Sequence, residues 1–120
     1  MIIRKQWQYM NKLHQNMDYK VYVTDFATEQ LDSYVGYIAN CLKNKQAARA
    51  VMEDYCDTIK SLKICAGSLA LLQDKDFKDL GYRRINFFKH RYFMLYRAVD
   101  DLVIVDAIYH SLQDYKKMIR

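Results

Sequence analysis

The spacing of apolar residues along this chain changes at Gly81 from helical to strand-like, and that change restricts the folds open to it. Before Gly81 the apolar positions recur every three or four residues: Ala27, Leu31, Tyr34 or Val35, Ile38 and Leu42, then Ala48, Val51, Met52, Tyr55, Ile59 and Leu62. Each set makes one apolar face on a helix. Thr24 or Asp25 can cap the first helix, which should run to about Lys43; Asn44 can cap the second, which should end near Gly67. Helices joined so tightly form an antiparallel hairpin. After Gly81 the period is two, so residues 82–88 and 91–99 read as successive strands. Asp100 and Asp101 supply a tight turn into a strand over residues 102–110. A strand at residues 19–24, "YKVYVT", precedes the helices. Residues 66–79 read as an irregular connection with one short helical turn, and residues 112–119 as a final helix. The predicted order is β-α-α-β-β-β-α, an α+β fold with a helical hairpin packed on one face of a small twisted antiparallel sheet.

On the last strand, strict alternation puts Val103, Val105 and Ala107 on one face and Leu102, Ile104, Asp106 and Ile108 on the other. A strand apolar on both faces belongs in the middle of a sheet. With 120 residues, 52% of them hydrophobic, and eleven tyrosines, the chain supports one core. The expected organisation is a polar extension over residues 1–17, with Met17 as a second possible start, and a single domain over residues 18–120.

The net charge of +5 is concentrated. Between Gly81 and Arg97 stand Arg83, Arg84, Lys89, Arg91 and Arg97 without an acidic residue, and elsewhere the basic residues equal the 14 acidic ones in number. Such a patch suits a phosphate backbone or an acidic partner, or it keeps a sheet soluble. Core and charge can share strands because successive side chains point to opposite faces, so Arg83 and Arg84 should part. The face away from the hairpin is expected to be concave, partly open and lined by the basic strands. Three cysteines without a C-x-x-C pair suggest neither a disulfide framework nor a zinc site, and imply a reducing compartment. No apolar run approaches the ~18 residues of a membrane span, and residues 1–17 lack the apolar core of a signal peptide. The cytoplasm is the expected location; no metal, cofactor or membrane contact is expected.

Two histidines lie in the same half: His90 at a strand junction, and His110 at the end of the last strand, followed by Asp114 and Tyr115. An imidazole there can act as general acid or base, and arginines can stabilise charge on a phosphorus centre. Cleavage of RNA by its own 2′-hydroxyl needs those parts, which Arg84, Arg91, His90, His110 and Tyr115 could supply. Against this, a histidine at a strand end is commonly a hydrogen-bonded structural residue, and Tyr92, Tyr96 and Tyr109 suit core packing. A Gly-rich phosphate loop, H-E-x-x-H and G-x-S-x-G are all absent.

Taken in order, "YKVYVTDFATEQLDSYVGYI", "KNKQAARAVMEDYCDTIKSL", "LGYRRI", "YFMLYRAVDDLVIVDAIYH" and "QDY" resemble the RelE/ParE superfamily of bacterial toxins from type II toxin–antitoxin pairs, over about residues 18–119. The resemblance implies a growth-inhibiting protein neutralised by a cognate antitoxin, with the fold described above. In the RelE-like branch it implies a small ribonuclease that cuts mRNA on the ribosome. Arg84 then matches a basic site residue on the first strand of the meander, and His110 the end-of-strand histidine of some members. Asn86 and Phe93 depart from the pattern, since basic residues often stand at both positions; Arg91 or His90 could substitute if residues 87–92 turn them inward. "AIYHSLQD" resembles instead the I-x-H-x-x-x-D ending of the ParE-like branch, which poisons DNA gyrase without cutting RNA. The expected reading is therefore a toxin that acts by ribosome-dependent mRNA cleavage, with Arg84, Arg91 and His110 catalytic and Arg83, Lys89, His90, Arg97 and Tyr115 holding RNA or a partner. The alternatives are a non-enzymatic gyrase poison and a toxin-fold protein kept only for binding.

Overall fold

The computed structural model describes residues 19–112. The expected extension over residues 1–17, nearly all of the expected final helix, and Tyr115 lie outside the described residues. Strand β1 (Lys20–Val23) leads into helix α1 (Asp25–Gly36), which continues as a π-helical turn, Tyr37–Cys41. Helix α2 (Lys45–Cys65) ends in a 3₁₀ turn, Ala66–Ser68; the short helix α3 (Lys75–Asp79) precedes the meander β2 (Tyr82–Asn86), β3 (Tyr92–Val99) and β4 (Leu102–His110).

Local chemistry sets these boundaries. Thr24 Oγ1 accepts from the Ala27 amide at 3.2 Å, and Asn44 Oδ1 from that of Ala47 at 2.9 Å, so both expected caps form. Helix α1 unwinds into a wider turn in which the Leu42 amide reaches the Tyr37 carbonyl at 3.1 Å, and Lys43 then takes a left-handed φ of 56°. Gly81, at φ 83°, follows α3 where a side chain would be strained.

The sheet order is β1-β4-β3-β2, so β4 is central as expected. The meander is antiparallel, whereas β1 runs parallel to β4 and makes the sheet mixed. Strands β1, β2 and β4 therefore point one way, and the chain between α2 and β2 must travel back. Within that return run Leu71 bridges Arg83 antiparallel, and the Leu72 amide donates to the Tyr82 carbonyl at 2.9 Å.

Both faces of the sheet are packed. Ala27 and Leu31 of α1 and Val51 and Leu62 of α2 meet Ile85, Met94, Tyr96, Val103, Val105 and Ile108 on one side. On the other, Phe93, Leu95, Ala107 and Tyr109 form a second core in which all four are fully buried. This corrects two expectations. The face away from the hairpin is no open basic concavity, because its central positions carry apolar side chains. Nor does β4 alternate regularly: Leu95 pairs with Ala107 but Tyr96 with Val105, so Asp106 is an extra residue, a β-bulge. Beyond it the faces exchange, sending Ala107 to the second core and Ile108 to the first.

The bulge coincides with the end of β1. From there α1 takes over the edge of β4: Gln30 Oε1 accepts from the Ile108 amide at 2.7 Å, and the Tyr34 hydroxyl donates to the Ile108 carbonyl at 3.2 Å. Thr24 Oγ1 likewise donates to the Asp106 carbonyl at 3.2 Å. Ladder partners are thus replaced by helix side chains.

Candidate functional site

The second stripe has an irregularity at its centre. Positions 51, 54, 58 and 62 lie on one helical face, and two of them are Asp54 and Thr58, both buried. The Thr58 hydroxyl donates to the Asp54 carbonyl one turn back, at 2.8 Å. The Asp54 carboxylate, with the residue 2% exposed, faces the β2–β3 connection. Its Oδ1 accepts from the Phe88 amide at 3.0 Å, and its Oδ2 from the Lys89 and His90 amides at 2.8 and 2.9 Å. His90 Nδ1 completes the set at 2.7 Å. Burial pushes the Asp54 carboxyl pKa up, but these hydrogen bonds outweigh it and hold it below its ordinary value of 3.8.

Three consecutive amides turned toward one carboxylate cannot belong to a strand, whose N–H groups alternate in direction. For that reason β2 ends at Asn86 rather than at residue 88, and residues 87–91 form a loop closed by the Phe87 amide donating to the Tyr92 carbonyl at 2.9 Å. The Ser111 amide donates to the Arg91 carbonyl at 2.8 Å, tying that loop to the end of β4.

The result is a groove of about 440 Å³ between the α1–α2 turn and these strand ends. Ile38, Leu42 and Val51 form its apolar wall; Lys89, His90, Arg91 and His110 bring the polar groups. The His90 side chain is 30% exposed. Its Nδ1 is committed to Asp54, and with Nδ1 carrying the proton toward the carboxylate, Nε2 points away from it as a proton acceptor. His110 packs edge-on against Tyr92, ring centroids 5.2 Å apart, and its Nδ1 accepts from the Leu112 amide at 3.2 Å. In the neutral ring the proton then sits on Nε2, so the two imidazoles adopt opposite tautomers. Burial raises the Tyr92 phenol above its ordinary pKa, leaving it protonated at neutral pH.

The basic segment is divided between faces. His90, His110, Arg91 and Lys89 come together. Arg84 does not join them: it lies on the opposite face, its guanidinium carbon 3.8 Å from the Phe93 ring centroid and its Nε donating to Asn86 Oδ1 at 2.9 Å. Arg97, on that same face, pairs with Asp106 through Nε–Oδ2 at 2.7 Å and lies over Tyr82. Arg83 points to the hairpin side, as the alternation required, and donates to the Leu69 carbonyl. Sequence reasoning missed Asp54, although its signal was present: an acidic residue on an apolar stripe requires an internal partner. Among the described residues no group of three or more His, Cys, Asp or Glu is placed to hold a metal ion, and no helix is long and apolar enough to cross a membrane.

No protein-family model matches this chain, and no curated protein does. Its fold matches a solved chain from a structure described as "Chromosomal ParDE TA system from P. aeruginosa": the TM-score is 0.65 at 16% identity, over 78% of this chain and 97% of the other. The α+β architecture implied by the RelE/ParE resemblance, two helices packed on a small sheet, is found, with the sheet mixed and not wholly antiparallel.

Proposed function

We propose that this chain is the toxin component of a type II toxin–antitoxin pair, held in check by an antitoxin, and that it acts by cleaving mRNA on the ribosome. Its fold, shared with a chain of a ParDE system, supports the toxin class. The observation that carries the activity is the groove, where two imidazoles with opposite tautomers stand with Arg91 and Lys89. A proton acceptor and a hydrogen-bond donor beside fixed positive charge suit cleavage of RNA by its own 2′-hydroxyl.

Gyrase poisoning is the second reading, favoured by a specific feature: Arg84, the basic residue matched to the RelE-like site, is engaged with Phe93 and Asn86 on the other face. Primer extension on an mRNA in a translation extract decides between them. New 5′ ends on translated message alone are expected from the antitoxin-free protein. Intact message together with growth arrest in cells would transfer the target to gyrase. A small acidic reading frame beside this one is expected to encode the antitoxin.

A further inference from the structure

Asp54 has no role in the reading of the sequence, yet its buried carboxylate accepts four hydrogen bonds. Clamping a loop needs only the three amides of residues 88–90. The fourth bond, to His90 Nδ1 at 2.7 Å, does something more: it selects the tautomer and holds the ring with its other nitrogen directed away from α2. Because His90 also lines the groove, that nitrogen is presented where Arg91 and Lys89 gather. Across the same groove the opposite tautomer of His110 is set by the Leu112 amide.

We infer that Asp54 is a positioning residue which makes His90 the general base of an RNA-cleaving site, with the Nε2–H of His110 as a hydrogen-bond donor across the groove. This rests on the nuclease reading above and deepens it, locating the chemistry on the hairpin side of the strand ends and not on the face that carries Arg84. The step balances without a co-reactant. The 2′-hydroxyl proton passes to His90 Nε2 as the 2′-oxygen attacks the adjacent phosphorus. The P–O5′ bond breaks, and the leaving oxygen takes a proton from solvent water. The products are a 2′,3′-cyclic phosphate and a 5′-hydroxyl, and the hydroxide left by the water takes the proton back from His90, restoring its starting form. Arg91 and Lys89 offset the charge that builds on the phosphoryl oxygens.

The test uses the full chain in the translation extract, with circular dichroism melting to confirm that each variant folds. His90→Asn keeps a donor toward Asp54 but cannot shuttle a proton, and should lower cleavage by about 10² to 10⁴. His90→Ala should lose as much and regain part of it when imidazole is added, a response that a purely structural histidine would not give. Asp54→Asn keeps an acceptor for the loop amides while removing the charge; kcat should fall about tenfold with KM little changed, by analogy with other second-layer carboxylates behind functional histidines. Mapped ends should carry a 5′-hydroxyl. Folded His90→Asn cutting at the wild-type rate would overturn the inference while leaving the nuclease reading intact, as would a His90→Ala loss that imidazole does not touch. Wild-type protein that arrests growth but leaves message whole would overturn both.

Discussion

The two faces of the sheet use the same kind of residue for opposite ends. On the face away from the hairpin, Arg84 and Arg97 lie over the rings of Phe93 and Tyr82, and Arg97 is held by Asp106. Their planar guanidinium groups help cover a second core. At the strand ends on the hairpin side, Lys89 and Arg91 are exposed and line the groove beside two histidines. The difference teaches that a run of positive charge along a strand pair is not one patch: the pleat sorts it, and only what falls at the strand ends remains available to a ligand. Mutations should therefore separate cleanly, with losses of stability on one face and losses of activity in the groove.

The largest expected effect is on the covered face. Phe93 is fully buried in the second core and is the platform beneath Arg84. Phe93→Ala should cost about 3–5 kcal/mol of unfolding free energy in urea titration. A loss below about 1 kcal/mol would mean that this face is open after all, and the contrast drawn between the two faces would collapse.

Next comes the clamp under the groove. Asp54→Ala removes four hydrogen bonds to a carboxylate and strands the amides of the loop, for an expected loss of about 3 kcal/mol. The pH dependence has a definite sign. The native Asp54 pKa lies below its unfolded value, so its contribution is fully present above about pH 5 and is lost as pH falls through the lowered native pKa. Urea midpoints measured from pH 7 down to pH 3 should fall more steeply for wild type than for Asp54→Asn, which cannot titrate. Parallel curves would show that the carboxylate is not what the loop depends on.

How much of this was legible before the structure depends on whether the determining contact is local. The caps at Thr24 and Asn44, the extent of β4 and the α+β architecture follow from neighbours within a few residues, and they were read correctly. The bulge at Asp106 was not, because counting in twos assumes an unbroken pleat, and the extra residue is accommodated by α1 side chains more than seventy positions away in sequence. The candidate site residues were divided in the same manner. Arg84 was grouped with His110 by residue chemistry and by the RelE-like resemblance, but their side chains stand on different faces, while the partner that orients His90 comes from α2, 36 residues earlier. The basic face was misjudged because the charges of the segment were counted without Phe93 and Leu95, which alternate onto the same face as Arg97.

The β4 edge sets a smaller prediction. Gln30→Ala withdraws the acceptor of the Ile108 amide at the point where β1 has ended, and should cost about 1–2 kcal/mol for one buried backbone donor left unpaired. Hydrogen exchange at Ile108 reports it directly: faster exchange is expected at that amide than at Val103, which keeps its place in the ladder beside β1. Uniform exchange along β4 would mean that α1 does not substitute for the missing strand.

The smallest effects draw the sharpest line between the two faces. Arg97→Met breaks an ion pair whose arginine is over one-third exposed, so solvent screening limits the expected loss to about 0.5–1 kcal/mol. Arg91→Met in the groove removes an exposed cation and should leave stability within about 0.5 kcal/mol. Under the proposed nuclease reading its effect should fall instead on cleavage, where fixed positive charge beside the phosphoryl group typically contributes about 10² or more. The pair is measured side by side, unfolding free energy against the rate of message cleavage. Stability lost at Arg97 and rate lost at Arg91 is the expected crossing. If Arg91→Met destabilised the fold as much as Arg97→Met and left the rate alone, the groove cations would be structural like those across the sheet, and the division of labour between the two faces would not exist.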